Sequence, residues 1–152
     1  MLSKPLLIGL LSVFPFIPLA SASAQDMLVA KNPSCGCCGA WMERMQQAGF
    51  DLGADDMEMD ALYQLKQAVG VPEAMVSCHT AVVDGYVVEG HVPAADIRRL
   101  LDERPDSVIG LAVPGMPTGS PGMEYQNIQD AYNVYLIHKD GSTSIYASYP
   151  QG

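Results

Sequence analysis

Lys31-Asn32-Pro33-Ser34-Cys35-Gly36-Cys37-Cys38-Gly39-Ala40-Trp41 joins an apolar run to a helical pattern. The fold is read outward from this junction. Upstream, Met27-Leu28-Val29-Ala30 predicts a short buried strand. Asn32-Pro33-Ser34 turns the chain. Downstream, Cys38, Trp41, Met42, Met45 and Ala48 recur at helical spacing, and Gly49 stops the helix. Three of the four cysteines thus fall at a predicted helix N-terminus. Unpaired backbone N–H groups and the positive end of the helix dipole favour anions there, which lowers thiol pKa values. Thiolate is both the nucleophile of disulfide exchange and a ligand for soft metals.

The next elements repeat the alternation. Residues 50–57 predict a second strand with an acidic edge. Asp60 is the expected cap of a second helix carrying Leu62, Leu65, Ala68 and Val69, which Gly70 ends. Ala81-Val82-Val83, Asp84-Gly85 and Tyr86-Val87-Val88 read as a hairpin. Pro93 suits the first turn of a third helix, with Ile97, Leu100 and Leu101 inward; Arg104-Pro105 ends it. Helical crossovers favour parallel pairing and the hairpin requires antiparallel pairing. The expected fold is α/β, a mixed sheet with helices on both faces. From 106 to about 130 periodicity fades into a Gly- and Pro-rich but apolar stretch. A loop of that length is usually functional or disordered, and Val108, Ile109, Leu111 and Val113 argue against disorder because they have surface to bury. Val134 to Tyr149, turning at Asp140-Gly141, reads as a final hairpin. No internal repeat is seen.

Residues 1–24 combine a basic start at Lys4, an apolar run broken by three prolines, and Ala22-Ser23-Ala24. This is the pattern of a secretory signal peptide cleaved before Gln25, and the run is too short and interrupted for a comfortable membrane span. The remaining chain suits one small domain. Eight basic and seventeen acidic residues give a formal net charge of −9, and loss of Lys4 takes it to −10. Such a chain is repelled by nucleic acid and anionic lipid, so neither is expected as a partner. Asp51, Asp55, Asp56, Glu58 and Asp60 lack a calcium-loop pattern and read as a solvated face.

Export favours oxidised thiols, yet adjacent Cys37 and Cys38 do not suit two structural disulfides. Cys35 and Cys38 form a Cys-x-x-Cys pair, the thioredoxin spacing, and are the candidates for any thiol or redox chemistry. Cys37 is a third thiol in the same turn and suits a metal. Cys78-His79 adds a soft ligand and a borderline one where a thioredoxin places a proline facing the dithiol; the nearest proline here is Pro72. Three or four thiolates select Cu(I), Zn(II) or clustered iron. The spacings of structural zinc and iron–sulfur sites are absent. Met116 and Met123, in a Gly/Pro loop, tip the choice toward copper, whereas Met42 and Met45 fit a helix core face. His91 is open between ligand, proton acceptor and helix-start hydrogen-bonding residue. His138 is weak by itself. Patterns of serine proteases, glycosidases and phosphate loops are not evident.

Lys31-x-Pro-x-Cys-Gly-Cys-Cys-Gly-x-Trp41, Gly70-Val-Pro72, Ser77-Cys-His-Thr-Ala81, Gly85-Tyr-Val-Val-Glu-Gly-His-Val-Pro-Ala94, Glu103-Arg-Pro105 and Gly110-Leu-Ala-Val-Pro-Gly-Met-Pro-x-Gly-Ser-Pro-Gly-Met123 resemble the CopG-type periplasmic copper-resistance family. The resemblance runs from about Met27 to Tyr149. It implies a thioredoxin-like domain over 25–105 and a C-terminal extension over 106–152, a loop and β-hairpin packed on the metal site. It implies copper, as Cu(I) and Cu(II) and in several ions, held by Cys35, Cys37, Cys38 and Cys78, with His79, Met116 and Met123 as completing ligands. It further implies a monomeric periplasmic protein of copper detoxification that interconverts Cu(I) and Cu(II) with an electron donor or acceptor. Two other readings stay open: storage or transfer of copper to an export system without turnover, and metal-free thiol–disulfide exchange through Cys35 and Cys38.

Overall fold

The computed structural model describes residues 26–150. Its elements are β1 (Asp26–Lys31), α1 (Gly36–Gln47), β2 (Asp51–Asp56), α2 (Met59–Ala68), a 3₁₀ turn (Glu73–Met75), β3 (Thr80–Val83), β4 (Tyr86–Glu89), α3 (Ala94–Glu103), β5 (Val108–Ala112), β6 (Tyr132–His138) and β7 (Thr143–Tyr149). The strands form one sheet in the order β2-β1-β3-β4-β5-β6-β7. The pairs joined across a helix, β1·β2 and β4·β5, are parallel, and the others are antiparallel. This is the mixed α/β sheet that the alternation of strands and helices predicts, and it is consistent with the thioredoxin-like fold that the resemblance implies. Residues 1–24, read as a signal peptide, lie outside the described residues. Among the described residues, no helix is long and apolar enough to cross a membrane.

Period-two burial sets the two faces. Met27 and Val29 of β1, Val83 of β3, Val88 of β4 and Val134 of β6 form the main core with Trp41 and Met45 of α1 and Ile97 and Leu100 of α3. Alternate positions, Val87, Ala112 and Ile137, pack on the other face with Val71 and the half-buried Val69, Met75 and Val76 that follow α2. Helical elements therefore cover both faces. The Asp84-Gly85 turn has positive φ at both residues (47° and 85°), as a type I′ hairpin requires.

Three boundaries differ from the sequence reading. Glu58, not Asp60, is the N-cap of α2, with no side-chain capping bond. The Met57 N–H is still bound to the Lys31 carbonyl (2.9 Å), so the chain leaves the sheet only at residue 58 and the helix starts at once. Pro93 is the N-cap of α3 rather than a residue of its first turn. The stretch read as aperiodic contains β5, an interior strand beside β4. Its residues are apolar on both faces because both faces are covered, which removes the alternation that marks a half-exposed strand.

Strand register also builds the site. Ala30 pairs with Thr80, Thr80 with Glu89, and Glu89 with Ala112. The end of β1, the start of β3 and the ends of β4 and β5 therefore share one edge of the sheet. From that edge leave the Cys35–Cys38 loop, the Cys78-His79 approach, His91, and the loop holding Met116 and Met123. His138 pairs with Val108, at the opposite end of β5, and donates or accepts a hydrogen bond with Ser144 Oγ (2.8 Å). It takes no part in this cluster.

Candidate metal centre

Cys35 is the N-cap of α1, with extended backbone, and Cys37 and Cys38 lie in the first turn. The Asn32 side chain accepts from the Ser34 N–H (3.0 Å) and its carbonyl from the Cys35 N–H (3.0 Å), holding the turn into the helix. Cys35 and Cys38 are joined as a disulfide, with Cα atoms 5.4 Å apart; Cys37 and Cys78 are free thiols. Cys37 Sγ lies 3.3 Å from Cys35 Sγ and 3.9 Å from Cys78 Sγ. All four sulfurs fall within 4.8 Å of one another.

Cys78 belongs to a second cluster. Its sulfur is 3.2 Å from His79 Nδ1 and 3.0 Å from His91 Nε2, and these three ligand atoms also lie within 4.8 Å of one another. Both imidazoles are buried. The Pro121 carbonyl, 2.8 Å from His91 Nδ1, can only accept, so the ring proton sits on Nδ1 and the lone pair of Nε2 faces Cys78. A carbonyl accepting from the far ring N–H is the arrangement usually found behind a metal-binding histidine. Burial holds the His91 pKa below the ordinary value. Burial, then the neighbouring His91 and Lys66, push that of His79 well below it, so burial favours the neutral form of both rings. His79 packs against Trp41 with ring centroids 4.4 Å apart. Among the described residues, His79 Nε2 is the buried side-chain polar atom left without a hydrogen-bond partner.

Cys78 behaves unlike a helix-terminal thiol. Burial, followed by the neighbouring Cys37, pushes its pKa up to about 12. In the metal-free protein it is a protonated thiol, and a cation binding there has to displace that proton.

The Gly/Pro loop touches residues on either side of the cysteines. Gly115 N–H donates to the Val76 carbonyl (3.2 Å), and Ser77 Oγ donates to the Gly115 carbonyl. Gly122 has φ +82°, and a Cβ there would lie 2.5 Å from the Trp41 nitrogen and 3.0 Å from the Cys37 carbonyl oxygen. The loop is therefore seated on the first turn of α1. Met123, the next residue, is half-buried, while Met116 is 53% exposed. Met42 and Met45 pack in or against the core. The acidic positions 51, 55, 56, 58 and 60 are all exposed, as expected of a solvated face. The sequence left the role of His91 open. The Glu89-Gly90-His91 run carries no local sign that β4 ends opposite Cys78.

The chemistry of the donors suits a soft or borderline ion: thiols, neutral imidazoles and an orphaned buried nitrogen, with no carboxylate among them. The family described as "Protein of unknown function, DUF411" matches residues 75–123, which run from the 3₁₀ turn to the methionine loop. Two solved structures of a copper resistance protein CopG, Form 2 and Form 1, are similar at 45% and 42% identity. Each has a TM-score of 0.77 and covers 84% of this chain and 99% of its own. No protein of curated function matches.

Proposed function

This chain belongs to the family of the copper resistance protein CopG, and from that premise we propose that it holds copper on the thiolates of Cys35, Cys37, Cys38 and Cys78. His79 and His91 are the nitrogen ligands beside Cys78. The observation that carries this reading is the sharing of Cys78 between a four-sulfur and a Cys-His-His cluster. One sulfur common to two ligand groups suits more than one ion. Met123, half-buried, is the thioether we propose to complete the site; Met116, 53% exposed, is the weaker candidate.

The protein's own groups prepare the site in three ways. The Pro121 carbonyl fixes the His91 tautomer that leaves Nε2 free. Trp41 holds the His79 ring from behind and is itself held by its indole N–H donating to the Val92 carbonyl (3.0 Å). Cys35 and Cys38 become ligands once their disulfide is reduced by an external dithiol, which is itself oxidised to a disulfide while two protons pass to the cysteine sulfurs. Bound copper would supply one-electron Cu(I)/Cu(II) chemistry, in keeping with detoxification by interconversion. Thiolates favour Cu(I) and imidazoles serve both states. We place the protein in the periplasm after cleavage before Gln25. It acts there as a monomer, exchanging electrons with a donor or acceptor, or copper with an export system. Residues 25–105 form the thioredoxin-like unit and 106–152 the extension that covers the metal.

The second reading, metal-free thiol exchange, is favoured by the Cys35–Cys38 disulfide itself. Copper content and absorption of the reduced, reconstituted mature protein separate the two. The copper reading predicts more than one ion per chain and intense thiolate-to-copper absorption, both diminished in Cys78→Ser. A copper-free protein that reduces insulin through Cys35 and Cys38 would overturn it.

A further inference from the structure

A fully enclosed ion pair stands directly behind the Cys78-His79 segment. Lys66 of α2 is 2% exposed and Glu89 of β4 is 0% exposed. Lys66 Nζ donates to Glu89 Oε1 (2.7 Å) and to Thr80 Oγ1 (2.9 Å). The Thr80 hydroxyl donates in turn to Glu89 Oε2 (2.6 Å), and the Ser77 N–H donates to Glu89 Oε1 (2.6 Å). Glu89 thus binds residue 77 with one oxygen and residue 80 with the other. The two residues between them are Cys78 and His79. The His79 carbonyl is held from the same side by the Gly90 N–H (2.9 Å).

Stability alone does not explain a buried lysine and glutamate here. A well-packed apolar pair of similar volume is commonly as stable, because desolvating two charges offsets their attraction. What an apolar pair lacks is an acceptor for the Ser77 N–H and the Thr80 hydroxyl. We infer that Glu89, neutralised by Lys66, is a positioning residue that clamps both ends of the Cys78-His79 segment and so fixes the thiol and imidazole against the Cys35–Cys38 loop and His91. The inference rests on the copper reading of the site for its functional meaning, but the clamp itself is testable without metal.

The test compares two folded double variants in the full mature chain. Lys66→Met/Glu89→Gln removes both charges and keeps a carbonyl acceptor. Lys66→Met/Glu89→Leu removes the acceptor as well. Copper(I) affinity is read by competition with a chromogenic chelator, alongside the thiolate-to-copper spectrum. Amide hydrogen exchange at residues 77–80 is read on metal-free protein. The Leu variant is expected to lose on the order of 10–100-fold in copper affinity, the usual cost of an outer-shell partner. Its absorption bands shift, and exchange at Ser77, whose N–H loses its acceptor, accelerates about tenfold or more. The Gln variant stays near wild type in all three, which is the rescue that a general packing role would not produce. If the Leu variant does not fold, Thr80→Val cuts one arm of the clamp and is expected to speed exchange at Ser77 and shift the spectrum in the same direction. Wild-type exchange and spectrum in the Leu variant, or in Thr80→Val where it stands in, would overturn the clamp. Wild-type protein that takes up no copper would instead overturn the copper reading, and the exchange comparison would still decide the clamp.

Discussion

Replacing Gly122 with alanine tests how the methionine loop is seated. Gly122 has φ +82°, and the new Cβ would lie 2.5 Å from the Trp41 nitrogen and 2.8 Å from its Cα. Both atoms belong to helix backbone and cannot move aside as a side-chain tip can. Ordinary carbon contacts begin near 3.4 Å, so the loop has to retreat by about 1 Å. The left-handed backbone costs a non-glycine residue roughly 1–2 kcal/mol. Retreat also stretches the bond between His91 Nδ1 and the Pro121 carbonyl from 2.8 Å toward a separation that no longer counts as a hydrogen bond. Leaving that buried N–H unpaired costs roughly 1–3 kcal/mol. Together the substitution is expected to destabilise the metal-free protein by about 2–5 kcal/mol. Urea unfolding monitored by Trp41 fluorescence measures this, and the Nδ1 proton resonance of His91 reports the local bond. An alanine variant within about 0.5 kcal/mol of wild type, with an unchanged His91 resonance, would refute the seating of the loop on α1.

Trp41→Phe keeps an aromatic ring near His79 but leaves the Val92 carbonyl without its indole donor; we expect a loss of roughly 1–3 kcal/mol in chemical denaturation. The buried histidines give the metal-free protein a defined acid sensitivity. Their folded pKa values lie below the ordinary value of 6.5, so between those values and 6.5 the unfolded chain binds more protons than the folded one. Their contribution is fully present above about pH 6.5 and is lost as pH falls toward the folded pKa values, with a limiting slope of about 1.4 kcal/mol per pH unit for each ring. A denaturation midpoint flat from pH 7 to pH 5 contradicts this. Cys78, pushed up to about 12, should be alkylated at pH 8 about a thousandfold more slowly than an ordinary free thiol, as peptide mapping after timed iodoacetamide treatment would show. Comparable labelling of Cys78 and an unstructured cysteine peptide would rule that out.

Much of the candidate site is local and therefore legible in the chain. Placement of Cys35, Cys37 and Cys38 at the start of α1 needs only the apolar run before them and the helical spacing after them. The two Asp-Gly turns announce β3–β4 and β6–β7 through backbone conformations that few residues adopt. Core assignment of Met42 and Met45 follows from the spacing of one helix.

The remainder depends on which strand ends share a sheet edge, and that is a property of non-local pairing. Cys78 was recognisable as a ligand type, but its distance from Cys37 is set by the register of β1 against β3. His91 reaches Cys78 because β4 ends opposite the start of β3, while its free nitrogen depends on a carbonyl thirty residues further on. β5 is not legible in the chain because a strand covered on both faces loses the alternation by which strands are read. The Lys66–Glu89 pair reads as two unremarkable charged residues until α2 and β4 bring them together and exclude water. Electrostatics divides in the same way. A helix N-terminus can be read from sequence and predicts thiolates, but burial raises the pKa of Cys78, and burial exists only once the tertiary structure has formed.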